Sequence, residues 1–227
     1  MTESEKEAAD HLRTIRALME RATVYQAISA PTALAAGITT LVLCYVLAGM
    51  ERTQRPGTIG FTGLWLAVLL IMTALNFWLL YRSARRRGEA FASSGMKMAL
   101  QAIAPPLGAG FALGFLTAAY RPAGYADIVS YWILFYGLGL LAMRSFAPRP
   151  LVMLGVGFFT LGIVSFLPDL RIILPWVDDL KVAAPRPPFE RGILWMGISF
   201  GLLHVIYAVA VFRSSRKKSS LTSPETS

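Results

Sequence analysis

The run GISFGLLHVIYAVAVF, residues 197–212, places His204 among side chains that are almost all apolar. His204 is the only group titrating near neutral pH at mid-depth of any long apolar run in the chain. Burying an ionisable group in hydrocarbon is expensive, so such a residue is a functional-site candidate by default. Protonated, it could relay protons; neutral, it could ligate a metal or haem iron. Each role needs company. The other histidine, His11, lies in the charged N-terminal segment, and the long apolar runs hold no Asp or Glu. The competing reading is a neutral imidazole hydrogen-bonded to Tyr207, Ser199 or a hydroxyl or amide on another helix. Asn76 and Gln101 are the other strong hydrogen-bonding groups in apolar runs. They either line a polar entrance together with His204 or hold helices to one another.

No catalytic, cofactor or metal site is expected from these residue types. GxSxG, HExxH, phosphate-loop and paired-carboxylate patterns are absent from the sequence. The single cysteine, Cys44, allows neither an internal disulfide nor a cysteine cluster for zinc or iron-sulfur. Asp169, Asp178, Asp179 and Glu190 lack calcium-loop spacing, and Arg171, Lys181, Arg186 and Arg191 offset their charge.

The elements that must position these residues follow from where charge is missing. Of 227 residues 55% are hydrophobic and 15% charged, with mean hydropathy +0.54. Charge-free stretches cover residues 22–50, 56–81, 98–120, 128–143, 150–168 and 192–212. A bilayer core about 30 Å thick takes roughly 17 to 25 apolar residues in a helix. Six spans are therefore predicted, at 31–50, 61–81, 98–119, 128–146, 150–168 and 192–212, the fourth lengthened past its short run by Arg144 reaching toward the headgroups. The predicted fold is an all-α polytopic bundle, one transmembrane domain over 31–212.

The first 21 residues are charged throughout and contain no apolar signal-peptide core, so the first span is expected to act as the insertion signal. With six spans, 15 of the 22 Lys and Arg fall on the side of the N-terminus, the 82–97 loop, Arg144, Arg149 and the C-terminus. The positive-inside rule then places both termini in the cytoplasm. Residues 1–30 form a segment with an apolar face at Leu12, Ile15, Leu18 and Met19 and with Arg13, Arg16 and Arg21 elsewhere on the wheel, as in an amphipathic helix lying at the interface. Residues 213–227 are read as a disordered tail. The net charge of +9 points to anionic lipid rather than nucleic acid, because it is concentrated in short loops beside the spans. Arg85, Arg86 and Arg87 anchor the second span or, with the N-terminal arginines, contact lipid or a partner. Gly110 with Gly114 and Gly197 with Gly201 form GxxxG pairs for close helix approach, which also leaves a homo-oligomer open. Pro105 and Pro106 are expected to kink the third span.

Two stretches carry a resemblance. Ile15, Arg16, Met19, Glu20 and Arg21 before the first span, and Gly201, Leu203, His204 and Tyr207 in the last, resemble the IR..MER and G.LH..Y-like pattern of an uncharacterised family of bacterial six-span integral membrane proteins. The resemblance implies a bacterial inner-membrane location and no particular activity. Two function classes are carried forward. One is a non-enzymatic anchor or regulatory subunit that meets anionic lipid or a cytoplasmic protein through its basic face. The alternative is a small-solute or ion transporter or channel, with a polar site at helices 2, 3 and 6. A haem or quinone redox subunit ranks below both for want of histidine.

Overall fold

A computed structural model of the chain describes residue 11 and residues 29–87, 94–145, 147–167 and 187–221. The predicted amphipathic segment, Arg13, Arg16, Arg21 and most of the 168–192 loop lie outside the described residues. Among the described residues every regular element is helical.

Helix α1 covers Ala30–Ala48, α2 Thr58–Arg87, α3 Ser94–Tyr120, α4 Tyr125–Ala142 and α5 Arg149–Ser165. Helix α6 (Pro188–Met196), a π-helical segment (Gly197–Leu203) and α7 (His204–Leu221) follow one another directly as a rod. Five of these, α1 to α4 and the α6–α7 rod, are long and apolar enough to cross a membrane; α5 is a shorter apolar helix of 17 residues. Large apolar side chains such as Leu70, Ile71, Phe115 and Met153 point outward. Water would penalise that surface and hydrocarbon would not. The chain is a multi-pass helical membrane protein.

Local chemistry sets the helix ends. Ser29 caps α1 by accepting the Thr32 amide at 3.3 Å, and Pro31 sits in the first turn, where its missing N–H costs nothing. Helix α4 gains its length at the end opposite to the one expected. It begins at Tyr125 and stops at Ala142, leaving Arg144 in the following turn. Asp127 can stand in the first turn because the helix dipole favours a carboxylate there, and Arg121 approaches it to 3.3 Å. Helix α3 runs through Pro105 and Pro106 without interruption. The last helix continues to Leu221, so the first nine residues of the expected disordered tail are helical. RSSRKKSSL contains no breaker before Pro224, and its cations suit a helix C-terminus.

Helix α4 is the hub, with half of its apolar stretch buried against 11% for α2. Glycines set the approach distances. A Cβ on Gly137 would lie 2.5 Å from the Phe159 nitrogen of α5, and one on Gly162 would lie 2.6 Å from the Leu134 Cα of α4. Gly110 and Gly114 face Phe135 and Trp132 of α4, so the first GxxxG pair is a packing seam. In the second pair only Gly201 is tight, with Leu41 Cδ2 2.7 Å from its would-be Cβ, whereas Gly197 has Cys44 Sγ at 3.7 Å.

The contacts of α3 with α4 and of α4 with α5 run antiparallel, as do those of α1 with the α6–α7 rod, and they fix the two ends of the bundle. At one end Phe61, Tyr125 and Phe189, near the starts of α2, α4 and α6, meet edge to face with centroids 5.2 to 6.0 Å apart. The loop before α2 is latched there by Arg55, which lies 4.8 Å over the Phe189 ring and 3.3 Å from Glu190. Tyr125 donates its hydroxyl to Pro56 O at 3.0 Å, and Thr58 donates to Ala118 O at 2.9 Å.

Candidate functional site

His204 opens α7 directly after the π-helical turn. A π turn widens the helix by one residue and often marks a functional position. Here it holds two side-chain to backbone bonds: Ser199 donates to Trp195 O at 2.6 Å, and His204 Nδ1 lies 3.0 Å from Phe200 O. A carbonyl can only accept, so Nδ1 carries the proton. Nε2 is then an acceptor, and Tyr136 of α4 supplies the hydroxyl proton across 3.3 Å. Both ring nitrogens are engaged, with the tautomer assigned from its partners. Tyr136, Phe158 and Phe200 surround the imidazole at centroid distances of 5.8, 5.3 and 6.0 Å, Phe200 stacked and Phe158 edge-on. No charged side chain takes part in these contacts. The Tyr136 bond occupies the lone pair that a metal or haem iron would need. Among the described residues no three of His, Cys, Asp and Glu come together as a metal-binding group.

His204 lines a cavity of about 310 Å³ enclosed by α1, α2, α3, α4 and the α6–α7 rod. Asn76 lines the same cavity from α2 and accepts the Ser29 amide at 3.3 Å through Oδ1, tying the start of α1 to α2. Gln101 does not join them: it is exposed on α3 and absent from the cavity wall. The polar trio read from the sequence is thus a pair. Arg85 and Arg86 are exposed in the last turns of α2, and Arg87 ends that helix.

The wall also contains residues that the sequence reading passed over, chiefly Tyr136, Trp65 and Trp132. The overlooked signal is the polar tip of an aromatic inside an apolar run, which needs a partner once buried. Tyr136 found one in His204. The indole N–H groups of Trp65 and Trp132 are buried and have none among the described residues.

Compared with protein-family models, curated proteins and solved structures, the chain matches none.

Proposed function

We propose that this is a six-span, non-enzymatic protein of the bacterial inner membrane, with both termini in the cytoplasm, that serves as an anchor or regulatory subunit through its basic face. The observation that carries the reading is the segregation of charge between the two ends of the bundle. The antiparallel packing puts Arg82, Arg85, Arg86, Lys97, Arg144, Arg149 and Arg213 at one end, all exposed, with no carboxylate among the described residues there. At the other end Arg52, Arg55, Arg121 and Arg191 are accompanied by Glu51, Asp127 and Glu190, and two of them form ion pairs. An uncompensated basic end suits the cytoplasmic side, where anionic lipid gives about 1 kcal/mol per Lys or Arg near the surface. Helix α5, with 17 residues, meets the lower limit for a span and returns the chain to the opposite side. The resemblance of the two chain ends to a bacterial six-span family agrees with this placement.

The test is a photo-crosslinking residue at Arg85 or Arg213, with α2 and α7 otherwise intact, followed by gentle-detergent purification from native membranes. A cytoplasmic protein recovered reproducibly and near stoichiometry is the expected result. Recovery of lipid adducts alone would reduce the role to membrane anchoring.

The transporter reading keeps one observation in its favour, the cavity shared by Asn76 and His204. Its Asn76, Tyr136 and His204 engage one another or the backbone, and no charged side chain lines the wall. An apolar solute fits that wall better than an ion does.

A further inference from the structure

We infer that the cavity behind α2 seats one acyl chain of an anionic bilayer phospholipid whose phosphate is held at Lys97 and Gln101. The inference rests on the basic end meeting anionic lipid, and needs neither a protein partner nor a particular side of the membrane.

Three observations lead to it. The first is the opening. Leu69 and Thr73 of α2 and Leu100 of α3 belong to the cavity wall and are exposed on the outside of the bundle, so the cavity opens sideways into the bilayer. Acyl chains are the solvent at that opening. An empty space of about 310 Å³ forfeits the dispersion contacts of its wall, which is largely apolar and carries no charge. Helix α2 is the least buried of the five long apolar helices, at 11%, so protein covers little of it.

The second is length. The wall runs along α2 from Trp65 to Phe77 and along α3 from Leu100 to Phe111. At 1.5 Å per residue these stretches are ~18 Å and ~16 Å long. The hydrocarbon of one leaflet is about 15 Å deep, half of a core about 30 Å thick, so the cavity has the length of one extended chain.

The third is what stands beside the opening. Leu100 lies six residues, ~9 Å, inside α3, whose start at Ser94 is at the basic end. Lys97 precedes Leu100 by three residues and Gln101 by four, so the three share one face of the helix. Lys97 and Gln101 are both exposed, and nothing among the described residues bonds to the Gln101 amide. An amide at the edge of hydrocarbon needs a partner, because no water substitutes deeper in. A phospholipid's phosphate and esters offer acceptors at that level, and its negative charge meets Lys97 with no carboxylate among the described residues at this end to compete. Arg82, at the same end, is held elsewhere. It lies 5.5 Å over the ring of Trp78, which is exposed and outside the cavity wall. Nine residues on from Thr73, it stands on the far side of α2 from the opening.

The experiment is native mass spectrometry of the full chain in mild detergent, titrated with equal amounts of dioleoyl phosphatidylglycerol and dioleoyl phosphatidylcholine. The expected result is one phosphatidylglycerol retained per chain, in clear preference to phosphatidylcholine. Leu107→Trp fills the cavity from α3 and Ala36→Trp fills it from α1, and each should weaken retention about tenfold. Lys97→Ala should weaken it about fivefold, the weight of one cation near an anionic surface. Gln101→Leu should weaken it about threefold, one modest hydrogen bond. Arg82→Ala removes the same charge away from the opening and should leave retention close to unchanged. Lys97 and Arg82 are both exposed, so this pair tests the site even where a filling variant misfolds. Retention indifferent to the filling variants, or weakened equally at Lys97 and Arg82, would overturn the site and leave the basic end's general attraction for anionic lipid standing. Equal competition by glycerol 3-phosphate, a headgroup without chains, would also overturn it. No preference for phosphatidylglycerol in the unaltered chain would remove that attraction together with the site.

Discussion

At the scale of single residues, the central pair is His204 and Tyr136. The imidazole gives its Nδ1 proton to Phe200 O and takes the Tyr136 hydroxyl on Nε2, so removing either side chain leaves the other with an unmet group in an apolar ring cage. Hydrogen bonds between membrane helices average about 0.6 kcal/mol and reach about 1.7. A double-mutant cycle of Tyr136→Phe and His204→Leu, read from unfolding in mixed detergent, should give a coupling in that range; additive single effects would place the bond outside the fold's stabilising set. Position 204 stood out in the sequence because an imidazole in a charge-free run is rare. Its partner did not, because tyrosine counts as apolar in a hydropathy reading and nothing local aims its hydroxyl at another helix. Gln101 misled for the converse reason: an amide in an apolar run looks buried, yet the rotation of α3 turns it outward. Rotation is decided by the neighbouring helices.

At the scale of elements, the glycines divide into tight and loose positions that the GxxxG pattern alone does not separate. Gly137 and Gly162 face backbone atoms of the opposing helix at 2.5 and 2.6 Å from a would-be Cβ, whereas Gly157 meets only the flexible end of Leu203 at 3.4 Å. Overpacking a close helix contact costs about 1–3 kcal/mol. Gly137→Ala should therefore lower thermal stability in detergent by several degrees, with Gly157→Ala and Gly197→Ala close to unchanged. Equal effects at all three would mean that α4 and α5 are less closely packed than these distances require. The apolar helices themselves were legible from charge alone, since hydropathy reports what lipid tolerates. Their ends were less so. The start of α4 at Tyr125 depended on an Asp127 carboxylate being welcome in a first turn, and the reach of α7 to Leu221 on basic residues being good helix formers. A charge that ends an apolar run need not end a helix.

At the scale of the molecule, the basic and mixed ends follow from antiparallel stacking and were readable from loop charges once the number of spans was assumed. The cavity was not readable, because it depends on how far α2 stands from α4, and no local pattern encodes that separation. The latch of Arg55 over Phe189 and beside Glu190 holds the start of α2 at the mixed end. Arg55→Ala should cost roughly 1 kcal/mol, combining a partly exposed ion pair with a cation over an aromatic ring, and the loss should shrink little in high salt because the ring contact is short-ranged. The central claim, a six-span bundle whose basic end faces the cytoplasm, is tested most directly by alkaline phosphatase fusions, active only outside the cytoplasm, placed after Arg55, Arg87, Ala123, Ala147, Asp178 and Ser227. The account predicts activity at Arg55, Ala123 and Asp178 and none at Arg87, Ala147 and Ser227. An inactive fusion at Asp178 would show that α5 does not cross, and the reverse pattern throughout would put the basic end outside the cell.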